Sequence, residues 1–159
     1  MQKFLKLLIP AALAVLSLAL PPAAMANMGS DESNESNDSN YLEGKKALES
    51  QEWKKAIDLL SKAVQIAPNN SDAHNLLGYA YRKSGNFDAS FVQYNEALKL
   101  DPKNRHAHEY IGEAYLLTNN LPKAEQHLAE LQKICSPSPC EEYKELKRAV
   151  DAYKKTKKK

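Results

Sequence analysis

The stretch SDAHNLLGYAYRKSGNFDASFVQYNEALKLDPKN, Ser71–Asn104, decides the fold. It holds two amphipathic helical patterns, a Ser-Gly-Asn break between them, and Asp-Pro at the end. In the first half Tyr81 follows Leu77 and Gly78 by one helical turn. In the second, Ser90, Tyr94 and Ala97 recur on one helical face. Pro102 closes the unit, since proline cannot continue a helix.

Shifted by 34 residues, the same pattern recurs on both sides. Gly44, Gly78 and Gly112 share one register, in a chain with only five glycines. Ala56, Ser90 and Ala124 share a second, Leu60, Tyr94 and Leu128 a third, and Ala63, Ala97 and Leu131 a fourth. Pro68 and Pro102 match, whereas position 136 is serine and proline arrives at Pro137. Three repeats are therefore read: Asn37–Asn70, Ser71–Asn104 and Arg105–Ser138. The glycines permit close approach of the first helix, the small residues do the same for the second, and the large ones fill the space between. One such hairpin cannot bury its own apolar face, so each must stack on the next.

The register resembles the tetratricopeptide repeat, whose pattern is Trp-x2-Leu-Gly-x2-Tyr, then Ala-x3-Phe, Ala and Pro. Asn40, His74 and His108 stand in the Trp slot, and Glu43 stands where the family prefers Leu. The resemblance implies an all-α, right-handed superhelical solenoid whose concave face is lined by the first helix of each repeat. The first repeat departs most from the pattern, as suits a polar terminal cap. Trp53, aligned with Phe87 and Leu121, is expected in core packing at the start of a second helix.

By the same resemblance, positions 2, 5, 9, 12 and 13 of each repeat face the groove. They are Asp38, Tyr41, Lys45, Leu48 and Glu49; Asp72, Asn75, Tyr79, Arg82 and Lys83; His106, Glu109, Glu113, Leu116 and Leu117. Tyr41, Lys45, Asn75, Tyr79, Arg82, His106, Glu109 and Glu113 are the candidate peptide-binding residues. Asn, Lys and Arg can bond a peptide backbone or carboxylate, and Tyr supplies flat apolar area at low entropic cost. The plainer reading makes them solvated helix faces. The family's carboxylate clamp is not expected, because its slots hold Tyr41, Lys45, His106 and Tyr110.

No catalytic constellation is present: no Gly-rich phosphate loop, Ser/His/acid signature or His-Glu-x-x-His. His106, Glu109 and Glu113 share one helix face and could in principle hold Zn or Cu. His74 and His108 are better read as packing residues, and neither a metal nor a cofactor is expected.

At the N-terminus, Lys3 and Lys6 precede the apolar run Leu7–Leu20, broken by Pro21-Pro22 and closed by Ala24-Met25-Ala26. This predicts a secretory signal peptide over 1–26, with export to a bacterial periplasm, or secretion as the alternative. The run is short of the ~20 residues of a membrane span, and no transmembrane segment is expected after cleavage. Residue 27 is Asn, not the Cys of a lipoprotein. Residues 27–38 read as a disordered polar and acidic tether. Loss of Lys3 and Lys6 leaves 20 basic and 20 acidic side chains, which gives no reason to expect nucleic acid as a partner.

Beyond the third repeat, Tyr143, Leu146, Val150 and Tyr153 make one stripe of a capping helix over 139–155. Ser138 and Glu141 predict a capping box with Pro139 in the first turn. A Lys-rich tail, 156–159, follows. Cys135 and Cys140 flank Ser-Pro-Ser-Pro, and in an oxidising compartment they are expected to form a disulfide. A labile redox pair, or thiolate ligation of a soft metal, is the alternative. Together these residues predict a non-enzymatic adaptor that binds another protein or its peptide segment, with self-association also open. The alternative function is an accessory role in metal or thiol redox chemistry through Cys135 and Cys140.

Overall fold

The computed structural model describes residues 38–157. The signal peptide over 1–26, the tether up to residue 37, and Lys158 and Lys159 lie outside the described residues. Seven helices follow in order: α1 Ser39–Glu49, α2 Trp53–Ile66, α3 Ser71–Lys83, α4 Phe87–Leu100, α5 Arg105–Leu117, α6 Leu121–Ile134 and α7 Glu141–Lys157. No strand occurs among the described residues. Helices α1–α2, α3–α4 and α5–α6 are hairpins, and α7 packs on α5 and α6. The fold is an all-α helical-repeat solenoid.

Short-range chemistry sets the helix ends. Asn70, Asn86, Asn104 and Asn120 each cap a helix, their side chains accepting from Ala73, Ala89, Ala107 and Lys123 backbone N–H groups. Asp38, read in the sequence as the end of the tether, is instead the N-cap of α1. Gln51, Gly85 and Asn119 occupy one register in the three hairpin turns, at φ 57°, 85° and 60°. Glycine takes this left-handed conformation freely, asparagine tolerates it, and glutamine adopts it at a cost.

Close approach follows from the glycines. A Cβ on Gly44 would lie 2.7 Å from Leu60 Cγ, and one on Gly78 would lie 2.7 Å from the Tyr94 ring. Leu60 and Tyr94 are fully buried. The third repeat departs from this pattern. Opposite Gly112 stands Leu146 of α7, 2.6 Å from the position of a Cβ, and Leu128 is only half-buried. The first two repeats have a following hairpin stacked on them, whereas the third is covered by α7 alone.

Successive hairpins are joined by polar contacts as well as apolar ones. Asn104 caps α5 and donates through Nδ2 to Ser71 Oγ (2.9 Å) and Asp72 Oδ1 (3.0 Å) at the start of α3. Ser71 in turn donates to the Ala97 carbonyl. Each of these polar groups finds a partner, so burial of Asn104 costs little. His74 and His108, in the Trp slot, reach back through Nε2 to the Pro68 and Pro102 carbonyls, at 3.0 Å each. A carbonyl only accepts, so both imidazoles carry a proton on Nε2.

Two expectations are corrected. The last helix begins at Glu141 rather than Pro139, and Ser138 forms no capping box. The Cys140 carbonyl receives the first helical bond, from Lys144 N–H (3.3 Å). Cys140 is also held beside Cys135, the C-cap of α6, with Cα atoms 5.4 Å apart and the sulfurs at bonding distance. That closure fixes where α7 can start. Trp53, expected in the core, is half-buried at the edge of α2, edge-on to Tyr79 (6.3 Å) and under the Lys83 ammonium (5.6 Å).

Candidate functional site

Helices α1, α3 and α5 lie side by side, and two adjoining pockets open along them. One, of about 270 Å3, is lined by Tyr41 and Lys45 of α1, Asp72, Asn75 and Leu76 of α3, and His106 and Tyr110 of α5. The other, of about 250 Å3, shares Lys45, Leu76 and Tyr110 with it and adds Leu48, Glu49 and Tyr79. The floor between them is aromatic: Tyr79 and Tyr110 stand 4.9 Å apart, and His106 stacks on Tyr110 at 5.9 Å. Burial, and then the Glu109 carboxylate, pushes the Tyr110 phenol up to about 12. Tyr41 is also raised, by burial and then by Asp72. Both phenols are therefore neutral hydrogen-bonding groups at neutral pH.

A third pocket, about 420 Å3 and more apolar, lies between the ends of α5 and α7. Leu116, Leu117, Ala149, Ala152, Tyr153 and Thr156 line it, with Arg82 and Glu113 at one side.

Of the candidate residues, Tyr41, Lys45, Asn75 and His106 meet in the first pocket, with Tyr79 in the second. Arg82 differs in kind. Its side chain is 8% exposed. It pairs with Glu113 at 2.6 Å, donates from Nε to the Tyr94 hydroxyl at 3.3 Å, and lies over the Tyr79 and Tyr110 rings at 5.1 and 5.5 Å. These contacts occupy both Arg82 and Glu113, so neither is a free groove charge. Glu109 borders neither pocket. It lies toward α7, with His106 Nδ1 3.8 Å away, and His106 also faces Glu142 at 3.7 Å. Among the described residues no group of three His, Cys, Asp or Glu side chains is placed to hold one metal ion.

Leu76 was missed as a groove residue, and Tyr110, noted only as filling a clamp slot, was left out of the candidate residues. Both fall at the sixth position of their repeats, about 40° around the helix from position 2. The 3.6-residue period alone places them on the same face.

Two buried titrations oppose each other here. Burial, then Glu113, Glu142 and Glu145, push Glu109 up to about 7, against the pull of Arg82. Burial and then His108 push His127 down to about 4; its Nδ1 lies 3.0 Å from that of His108, so only one proton fits between them. Glu109 ordinarily titrates near 4.5, so the folded state holds a proton that the unfolded chain releases, and stability falls as pH rises from about 4.5 to 7. His127 ordinarily titrates near 6.5, so the unfolded chain takes up a proton that the folded state refuses, and stability falls as pH drops from about 6.5 to 4. The slopes oppose, and the pair flattens the profile. Glu109→Gln is expected to leave a urea midpoint that rises with pH across this window. His127→Gln is expected to leave one that falls. Parallel profiles for the two variants would refute the arrangement.

Stacked helical hairpins with a groove along their first helices define a class of repeat scaffold. The sequence model of the TPR repeat matches residues 44–85 and again 78–119. The chain belongs to the tetratricopeptide-repeat family. No curated protein sequence matches it. Solved structures are similar in fold. The Sgt2 TPR domain of Aspergillus fumigatus is 24% identical, with TM-score 0.67, over 77% of this chain and 80% of that one. The type III secretion translocator chaperone SycD of Yersinia enterocolitica is 19% identical, with TM-score 0.70, over 83% and 92%. The same chaperone in complex with a peptide of the translocator YopD is 20% identical, with TM-score 0.66, over 77% and 95%. Among the described residues no helix is long and apolar enough to cross a membrane.

Proposed function

We propose that the chain is a non-enzymatic adaptor of the cell envelope that holds a segment of another protein in the groove of α1, α3 and α5. The observation that carries this reading is the pair of adjoining pockets over the Tyr79–Tyr110 floor. Tyrosines in such a position offer rigid apolar area, and Lys45, Asn75 and His106 offer polar contacts around it. The SycD complex with a YopD peptide supports the reading from a protein of like fold. The envelope location rests on Lys3, Lys6, the run Leu7–Leu20 and Ala24-Met25-Ala26. In that compartment the paired Cys135 and Cys140 would be oxidised and would tie α7 to α6.

Capture of partners from periplasmic extract, with the chain and its Tyr79→Ala variant as baits, tests this. The variant is expected to lose at least about tenfold in affinity for the captured partner, as for a central aromatic contact, while its helical circular dichroism is unchanged. A partner that binds the variant undiminished would place recognition elsewhere.

A further inference from the structure

His108 and His127 bring their Nδ1 atoms to 3.0 Å across the seam of α5 and α6. His108 is buried, and its Nε2–H is spent on the Pro102 carbonyl, so its Nδ1 presents a lone pair to the seam. His127 is half-buried, stacks on the Tyr115 ring at 5.7 Å, and uses only Nδ1 in hydrogen bonding among the described residues. One repeat earlier the same two positions hold His74 and Gln93, whose carboxamide meets His74 Nδ1 at 2.8 Å. A glutamine thus suffices to satisfy the buried imidazole. The third repeat puts a second imidazole there, and that change sets two nitrogen ligands side by side.

We propose that His108 and His127 together bind a first-row divalent cation of the Zn2+ or Cu2+ class, held between α5 and α6 by both Nδ1 atoms. Imidazole nitrogens bond such an ion at about 2.0–2.1 Å, so two of them on a tetrahedral ion stand about 3.3 Å apart. The seam has to open by only about 0.3 Å from the hydrogen-bonded separation. In the metal-free pair one proton lies between the rings. On binding, His127 carries that proton on Nε2 instead of Nδ1, the ion takes the vacated place, and no proton leaves the pair. The bond from His108 Nε2–H to a main-chain carbonyl is the outer partner that metal-bound imidazoles ordinarily have, and it aims Nδ1. Two protein ligands make an open site. Its other positions go to water, or to the Glu130 carboxylate, which is about half exposed and one helical turn from His127. The cation in the vicinity is Lys123, over the Tyr115 ring at 5.0 Å, and it is exposed and screened. Neither His108 nor His127 borders the groove pockets, so this site is separate from the one for a bound segment.

The test uses the full chain without an affinity tag, stripped by chelator and titrated with ZnCl2 or CuCl2 by calorimetry. Cu2+ is expected to bind more tightly than Zn2+, as at nitrogen sites in general. His127→Gln recreates the arrangement of the second repeat, so it is expected to fold as the parent does. It is also expected to lose at least about tenfold in affinity for either ion. With Zn2+ bound, nitrogen NMR should show both rings protonated on Nε2 and ligated through Nδ1. Zn2+ should also raise the urea midpoint of the parent and leave that of His127→Gln where it was. A parent chain that binds neither ion overturns the proposal, as does binding undiminished in His127→Gln. So does binding that is lost in His106→Gln and kept in His127→Gln, which would move the ion to the His106 face of α5.

Discussion

Leu146→Ala is expected to lower unfolding free energy by about 3–4 kcal/mol, the middle of the range for such truncations. Leu146 is fully buried, in a cluster with Leu116, Ala124, Leu131 and Val150, and it fills the space above Gly112. Glycine has no side chain with which to fill the resulting void, so collapse around it is limited. A urea titration measures the loss, and a change below about 1 kcal/mol would mean that α7 does not seal the third hairpin. Gly112→Ala supplies a sharper control. In the parent chain its Cβ would sit 2.6 Å from Leu146 Cδ2 and force a shift. In the Leu146→Ala background the methyl enters the void and adds helix propensity, so it is expected to recover about 1 kcal/mol. That reversal of sign is the coupling expected of two residues in contact.

Arg82→Ala is expected to cost about 3 kcal/mol, the lower end for breaking a buried ion pair, because Glu113 is 29% exposed and recovers some hydration. The Tyr94 hydroxyl, on a fully buried ring, loses its donor at the same time. Arg82→Lys keeps the charge but not the planar contacts with Tyr79 and Tyr110, and an intermediate loss is expected. Thermal and urea midpoints of the two variants check the order. An Arg82→Ala protein as stable as the parent would return Arg82 to the groove as a free cation. Binding studies of the groove are therefore better made with Tyr79 than with Arg82, whose removal confounds folding with recognition.

The periodic features of this fold were legible before any coordinates. Gly44, Gly78 and Gly112, with Ala56, Ser90 and Ala124, carry the repeat because close helix packing tolerates nothing larger at those points. The resemblance to the tetratricopeptide repeat implied that Tyr41, Lys45, Asn75, Tyr79 and His106 face the groove, and the structure puts all five along its two pockets. Local chemistry was legible too, in the Ser84-Gly85-Asn86 break between the two helices of the central repeat. The sequence by itself thus determined the helices, their pairing and the direction of each helix face, because these follow from contacts a few residues apart or one repeat apart.

Tertiary structure decided the rest. The sequence could not reveal that Arg82 is consumed by Glu113 and Tyr94, because a charge at a groove position looks the same whether its partner is solvent or a neighbouring helix. It could not place Leu146, rather than Leu128, over Gly112, because repeat symmetry ends where the last hairpin has no successor and a non-repeat helix takes that role. Nor could it show Asn75 buried without a partner. Burial and satisfaction belong to three helices meeting at one point, and that meeting is set by packing across the repeats rather than by any residue's near neighbours in the chain.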